Sequence, residues 1–209
     1  LGLPVFEGYG LSECASVVCL NTPGARRRGS VGRPLPHARV RVAGDGQIMV
    51  SGVTLQGYRG EPPRRPGEEW ATGDLGEIDA DGYVYVRGRI RNVFITSFGR
   101  NVAPEWVERE IAQHPGVRHV MVHGEARPYA VAIVSAPRES ADDATIDRAI
   151  AAANATLPEY AQVRRWQRAP EPFSFDNGLL TSNGRLRRPE IVQRHGDLLD
   201  AMYRAGLDS

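Results

Sequence analysis

The chain changes its periodicity at Gly88-Arg89-Ile90-Arg91-Asn92, and no other feature limits the fold as much. Before this stretch the residues read as turn-rich strands. Residues 37–42 alternate in the two-residue period of a strand, and 47–52 repeat that period after Gly44-Asp45-Gly46. Two further strand-like runs, 76–79 and 83–86, flank Asp81-Gly82, a hairpin signal because glycine tolerates positive φ. Residues 62–67, with three prolines, exclude regular structure and read as an exposed loop. After the stretch, helices and strands alternate. Pro104 suits the first turn of a helix running to about Gln113, with His114-Pro115-Gly116 as its stop. Residues 117–123, 129–135 and 163–168 read as strands. Residues 142–155 form an alanine-rich helix capped by Asp142 or Asp143, and 189–205 form a final helix. The expected class is α+β, in a β-rich part (residues 1–88), a connector (89–91) and a helix-and-strand part (92–209).

Composition removes several function classes. Apolar residues make up 41% and charged residues 24% of the 209, the balance of a folded globular chain. The net charge of +1 gives no bulk field toward nucleic acid, so no nucleic-acid partner is expected. Arg26-Arg27-Arg28 reads as a solvated loop. No apolar run approaches the ~20 residues that span a bilayer, and no signal peptide is visible, so no transmembrane segment is expected. Two cysteines, Cys14 and Cys19, make no disulfide framework and point to a reduced, cytoplasmic setting. The five histidines lack metal-ligand spacing. All 26 basic residues are arginine, so chemistry that needs a lysine amine is absent from these residues.

Four short motifs recur in order. Gly8-Tyr9-Gly10-Leu11-Ser12-Glu13 offers a tight glycine turn, a flat ring, a small hydroxyl and a hard oxygen ligand. Thr72-Gly73-Asp74 places a carboxylate that can accept two hydroxyls at once. Gly88 to Asn92 is followed by Phe98-Gly99-Arg100-Asn101-Val102-Ala103-Pro104 and Val107-Glu108. Asn183-Gly184-Arg185-Leu186-Arg187-Arg188 closes the series. Taken singly, each also reads as an ordinary feature: a glycine turn beside a core tyrosine, an Asx turn before a strand, a left-handed turn at Gly99, a surface turn at Arg185.

Together the motifs resemble the C-terminal part of an adenylate-forming enzyme, most closely a long-chain acyl-CoA synthetase; the nine residues between Arg89 and Gly99 are similar to that subgroup. The resemblance implies that residues 1–88 complete a large AMP-binding domain as a distorted β-barrel, and that 92–209 form a small mobile α+β lid. Family members are much longer, and the main phosphate loop and most of the acyl pocket lie in a region with no counterpart here. The same resemblance implies roles. Tyr9 and Gly10 border the adenine, Ser12 touches the α-phosphate, Glu13 holds Mg²⁺, Asp74 takes the ribose hydroxyls and Arg89 lies on the ribose or phosphate side. Arg91 falls at the hinge, where the family often has lysine or aspartate, and Gly99 lines the path of the CoA pantetheine. Arg185 falls where the family carries a catalytic lysine. A guanidinium stays charged but is planar and wider than an ammonium, so the exchange is not neutral. The reaction the resemblance implies joins a carboxylic acid, by the same resemblance a fatty acid, to ATP as acyl-AMP and then to CoA. Transfer to a carrier-protein thiol or another acceptor, and a catalytically silent fragment, are the alternatives. The 209 residues alone are expected to be inactive.

Overall fold

The structure, a computed structural model, describes residues 4–60, 62–65, 67–137, 139 and 141–204. Pro66, within the loop expected at 62–67, and Ala205, the expected last residue of the final helix, lie outside the described residues. The chain divides into two compact units, Leu1–Arg91 and Asn92–Ser209.

The first unit is built of antiparallel strands. β1 (Gly8–Tyr9), β2 (Cys19–Leu20) and β3 (Arg33–Pro34) form a small sheet, and β4 (Ala38–Val42), β5 (Gln47–Gly52), β6 (Trp70–Ile78) and β7 (Val84–Arg89) form a meander in sequential order. The two-residue period decides which side chains go inward: Ile48 and Val50 of β5 are buried while Gln47, Met49 and Ser51 are only partly covered. With Cys14, Val18, Cys19, Ala38 and Val84 they make the core of this unit. The turn between β6 and β7 is an Asx structure, in which the Asp79 carboxylate accepts the amides of Asp81 and Tyr83 (3.0 Å each) and Gly82 takes φ +83°. Arg27, expected in a solvated loop, instead pairs with Asp79 and Asp81 of that turn at 2.5 and 2.7 Å. Its guanidinium also lies 4.5 Å from the centre of the Tyr83 ring, as does that of Arg33. Gly76 is required by packing: a Cβ there would lie 2.4 Å from the Tyr85 carbonyl oxygen and 2.6 Å from Ile48 Cδ1.

The second unit opens with a hairpin of β8 (Phe94–Ile95) and β9 (Asn101–Val102), followed by α1 (Pro104–Ala112), β10 (His119–His123), β11 (Ala130–Ser135), α2 (Asp143–Asn154), β12 (Val163–Arg168) and α3 (Arg188–Arg204). The sheet order is β10-β11-β12, with β10 antiparallel and β12 parallel to the central strand. The parallel step needs a crossover, and α2 supplies it. All six residues of β11 are buried, because both sheet faces are covered. On one face Val120, Val122, Ala132 and Val134 pack with Ile111 of α1 and Ile146 and Ile150 of α2. On the other, Met121, Val131 and Ile133 pack with Leu179, Leu180 and Ile191, Leu199 and Met202 of α3. The helix α3 is interrupted at His195 (φ −117°, ψ 23°), where an uninterrupted helix was expected. Gly196 follows and gives little helical stabilisation, and the His195 ring stacks on Phe173 with 6.2 Å between centres.

Two sites in this unit set a scale for its stability. Ile146 is fully buried between α2 and the sheet, and Ile146→Ala is expected to destabilise by about 2–5 kcal/mol. Asp142 caps α2 by accepting the Thr145 amide at 2.8 Å, and Asp142→Ala is expected to cost about 1 kcal/mol. Urea unfolding of both variants checks this; an equal loss would mean that α2 is not docked as described.

Candidate functional site

The Gly8 to Glu13 motif runs off β1 into a short 3-10 turn, Ser12–Cys14. The chain folds back on itself: Val18 N–H donates to the Tyr9 carbonyl at 2.8 Å, and Ala15 and Ser16 both take positive φ. Gly10 lies beneath this return. A Cβ on it would sit 1.5 Å from the Ser16 carbonyl oxygen, so only glycine fits. Ser12 is exposed on the turn and Cys14 is buried under it.

Thr72-Gly73-Asp74 lies inside β6, not in a free turn. The register of β6 on β7 sets Asp74 opposite Arg89, just before an irregularity at Leu75/Gly76. Asp74 is 4% exposed, so its charge must be met by neighbours. Arg89 Nε approaches Oδ1 at 2.7 Å, and the Tyr9 hydroxyl donates to Oδ2 at 2.6 Å. Thr72 supports this arrangement. Its hydroxyl donates to the Ile48 carbonyl at 2.8 Å and accepts the Asp74 amide at 3.0 Å, while Arg89 Nη1 donates to the Thr72 carbonyl at 3.2 Å. Gln47 Oε1 accepts the Gly73 amide at 3.1 Å. Burial, and then the bond to the Asp74 carboxylate, push the Tyr9 phenol well above its ordinary value. Tyr9, Asp74 and Arg89, distant in sequence, thus form one bonded cluster.

Glu13 stands beside this cluster. Its Oε1 accepts the Tyr58 hydroxyl at 2.7 Å. That bond, and to a lesser degree the Arg89 charge, hold its carboxyl below the usual range. Among the described residues no group of three or more histidine, cysteine or acidic side chains could hold a metal. A single carboxylate still suits Mg²⁺, which keeps waters and is bound by one or two carboxylates plus substrate phosphates.

The remaining expected residues fall elsewhere. Arg91 is exposed in the 3-10 turn Ile90–Asn92, at the division between the units. Gly99, in the second unit, is at the tip of the β8–β9 hairpin with φ +73°. A Cβ there would meet nothing within 4 Å, and the neighbouring Phe98 is 76% exposed. Arg185 is exposed in a second, separate hairpin, where Leu180 bridges Leu186. Its amide donates to Thr181 Oγ1 at 3.0 Å, and its carbonyl accepts the Thr181 amide at 2.8 Å. Its guanidinium has no partner among the described residues. Sequence reasoning gave no role to Thr72, Gln47 or Tyr58. Gln47 and Tyr58 carry no local signal; Thr72 was readable only as part of its triplet.

Comparison with known proteins identifies the family. The family model described as AMP-binding enzyme C-terminal domain matches residues 91–206. The long-chain-fatty-acid–CoA ligase FadD15 of Mycobacterium bovis is 30% identical over 230 residues, covering 97% of this chain and 38% of that protein. The human long-chain-fatty-acid–CoA ligase 1 is 28% identical over 244 residues, covering 97% and 35%. Among solved structures, apo MatB from Rhodopseudomonas palustris superposes with a TM-score of 0.72 at 26% identity, over 94% of this chain and 42% of that one. The amide bond synthetase McbA from Marinactinospora thermotolerans gives 0.71 at 26% identity, over 90% and 41%. The chain thus spans about two fifths of the length of the relatives it matches. With more than half of its residues matched by that one family model, the chain belongs to the AMP-binding enzyme family.

Proposed function

We propose that this chain is the C-terminal portion of an ATP-dependent acyl-CoA synthetase acting on a fatty acid. The observation that carries the reading is the Tyr9–Asp74–Arg89 cluster, a flat ring, a buried carboxylate and a cation bonded together in the unit that precedes the matched domain. In the first half-reaction a carboxylate oxygen forms a bond to the α-phosphorus of ATP as the bond to pyrophosphate breaks. In the second, the CoA sulfur attacks the acyl carbon and AMP leaves. Asp74 is the ribose anchor: each of its oxygens has one protein donor and keeps a second lone pair. Tyr9, tethered by its hydroxyl, presents its ring to adenine. The Arg89 guanidinium is half-exposed, and it faces the ribose or phosphate. Ser12, exposed on its turn, reaches the α-phosphate. Glu13 would hold Mg²⁺, which supplies positive charge to the phosphates when bound. Arg185 lies on an exposed hairpin with its guanidinium free to meet the substrate carboxylate and α-phosphate. Gly99 borders the pantetheine path, and Arg91 is the hinge about which the second unit turns between half-reactions.

Likeness to an amide bond synthetase supports a second reading, in which an amine rather than CoA accepts the acyl group. Trapping the product with CoA and with amines separates the two. No helix among the described residues is long and apolar enough to cross a membrane. Cys14 and Cys19 are buried and unpaired, which fits a reducing compartment, and the cytoplasm is the setting proposed.

Three outcomes test the reading. In calorimetric titration of the 209-residue chain, Asp74→Ala is expected to weaken ATP by about tenfold, roughly 1.4 kcal/mol, and to leave pyrophosphate nearly unchanged; an equal loss for both would remove the ribose role. In the longer enzyme, Arg185→Ala is expected to slow acyl-AMP formation by about a hundredfold, roughly 2.7 kcal/mol, while thioester formation from supplied acyl-AMP stays intact. Equal slowing of both half-reactions would count against it. Limited proteolysis is expected to cut first at Ile90 or Arg91, which are exposed, rather than within the paired strand before them.

A further inference from the structure

The second unit contains a buried charge that the proposed chemistry does not use directly. In α1 the buried positions are Pro104, Val107, Glu108 and Ile111, the stripe of an amphipathic helix with a carboxylate set into it. Glu108 is 8% exposed. Its Oε1 accepts the Val122 amide of β10 at 2.7 Å and Arg188 Nη1 at 2.8 Å, and its Oε2 accepts Arg188 Nη2. This bidentate pair ties three elements together: α1, the sheet, and the first residue of α3.

Arg188 is three residues beyond Arg185 and closes the base of its hairpin. The hairpin has two legs. Leu179 and Leu180 of the first leg are buried against the sheet. The second leg, Leu186 to Arg188, is held by the Leu180–Leu186 bridge, by the Arg187 amide donating to the Leu179 carbonyl at 2.9 Å, and by the Glu108–Arg188 pair. Between them Thr181 and Arg185 exchange three bonds, and Gly184, at φ +77°, donates to the Thr181 carbonyl at 2.9 Å. The Arg185 side chain itself is exposed. The anchoring of the two legs and these cross-hairpin bonds fix the backbone from which its guanidinium projects. Glu105 extends the arrangement toward the start of the unit. It accepts the Asn92 side-chain amide through Oε1, lies 4.0 Å from Arg188 Nε, and has its buried Oε2 without a partner among the described residues.

We propose that Glu108 is a positioning residue, which through Arg188 holds the Arg185 hairpin in the geometry that adenylation needs. Its catalytic consequence rests on the reading of Arg185 given above. An uncompensated buried charge destabilises a fold, so single truncations are poor tests. The double substitution Glu108→Gln with Arg188→Met removes both charges and keeps an acceptor for the Val122 amide. Hydrogen exchange on the 209-residue chain reads the anchoring without any substrate. The amides of Thr181, Gly184 and Arg185 are expected to exchange at least tenfold faster, with those of Val131 to Val134 in the central strand unchanged. Unchanged hairpin exchange in a folded double variant would overturn the proposal. In the longer enzyme the double variant is expected to slow acyl-AMP formation by about tenfold, with KM for ATP unchanged and thioester formation from supplied acyl-AMP spared. Should the hairpin loosen and Arg185→Ala slow adenylation while the double variant does not, the positioning role is overturned. If Arg185→Ala also leaves adenylation unchanged, the assignment of Arg185 fails and the anchoring, read by exchange, stands by itself.

Discussion

A carboxylate buried in the middle of a β-strand governs the first unit. Asp74 is almost wholly removed from water, and an isolated charge there would be strongly unfavourable. The β6–β7 register answers it by placing Arg89 across the pair, and β1 answers it by bringing the Tyr9 hydroxyl to the second oxygen. The rest follows from holding these three groups together. Thr72 ties the Asp74 amide to β5, and Gly76 lets Ile48 and the β7 backbone close in beside it. The folded-back turn at 10–18 needs a glycine at Gly10 because the Ser16 carbonyl occupies the space of a side chain. The polar cluster proposed to meet the nucleotide is thus also the cluster that fixes the local register.

The second unit solves a similar problem differently. Its sheet is covered on both faces, so β11 carries no polar alternation and its specificity comes from what packs on it. The charged exception is Glu108, which lies in the apolar stripe of α1 and is matched by Arg188. In the first unit the buried carboxylate belongs to the cluster that could meet a ligand. In the second it stands behind an exposed arginine whose own side chain has no support among the described residues. The hairpin base is anchored by buried side chains and an ion pair, while the cation at its tip is exposed.

Arginine in place of lysine bears on both ideas. Bidentate bonding to a carboxylate is what a planar guanidinium does well, as at Glu108–Arg188. On the role proposed for Arg185 the same planarity is a constraint, since two anions would be met from one tip. A chain whose 26 basic residues are all arginine therefore places the same residue type both in an internal clamp, at Arg188, and on an exposed tip, at Arg185.

Much of this was readable from local patterns. The alternation at residues 47–52, the Asp81-Gly82 turn, the Pro104 helix start and the Asp142 cap each depend on neighbours within a few positions, and the corresponding elements form where expected. Glu108 could be noticed as a charge on an apolar face, but its partner could not, because Arg188 lies eighty positions away. His195 shows the reverse limit: a helical pattern ran through it, yet the backbone leaves helical geometry there, beside Gly196 and with the ring stacked on Phe173. The very short strands β1 to β3 had too few residues to show a period. By itself the sequence determined the residue types, the order of the motifs and most of the local elements, since these depend on short-range sterics and periodicity. Only the tertiary structure decided that Tyr9, Asp74 and Arg89 share one bonded cluster and that Arg188 is clamped by Glu108, because desolvated charges choose their partners through strand register and packing between distant segments.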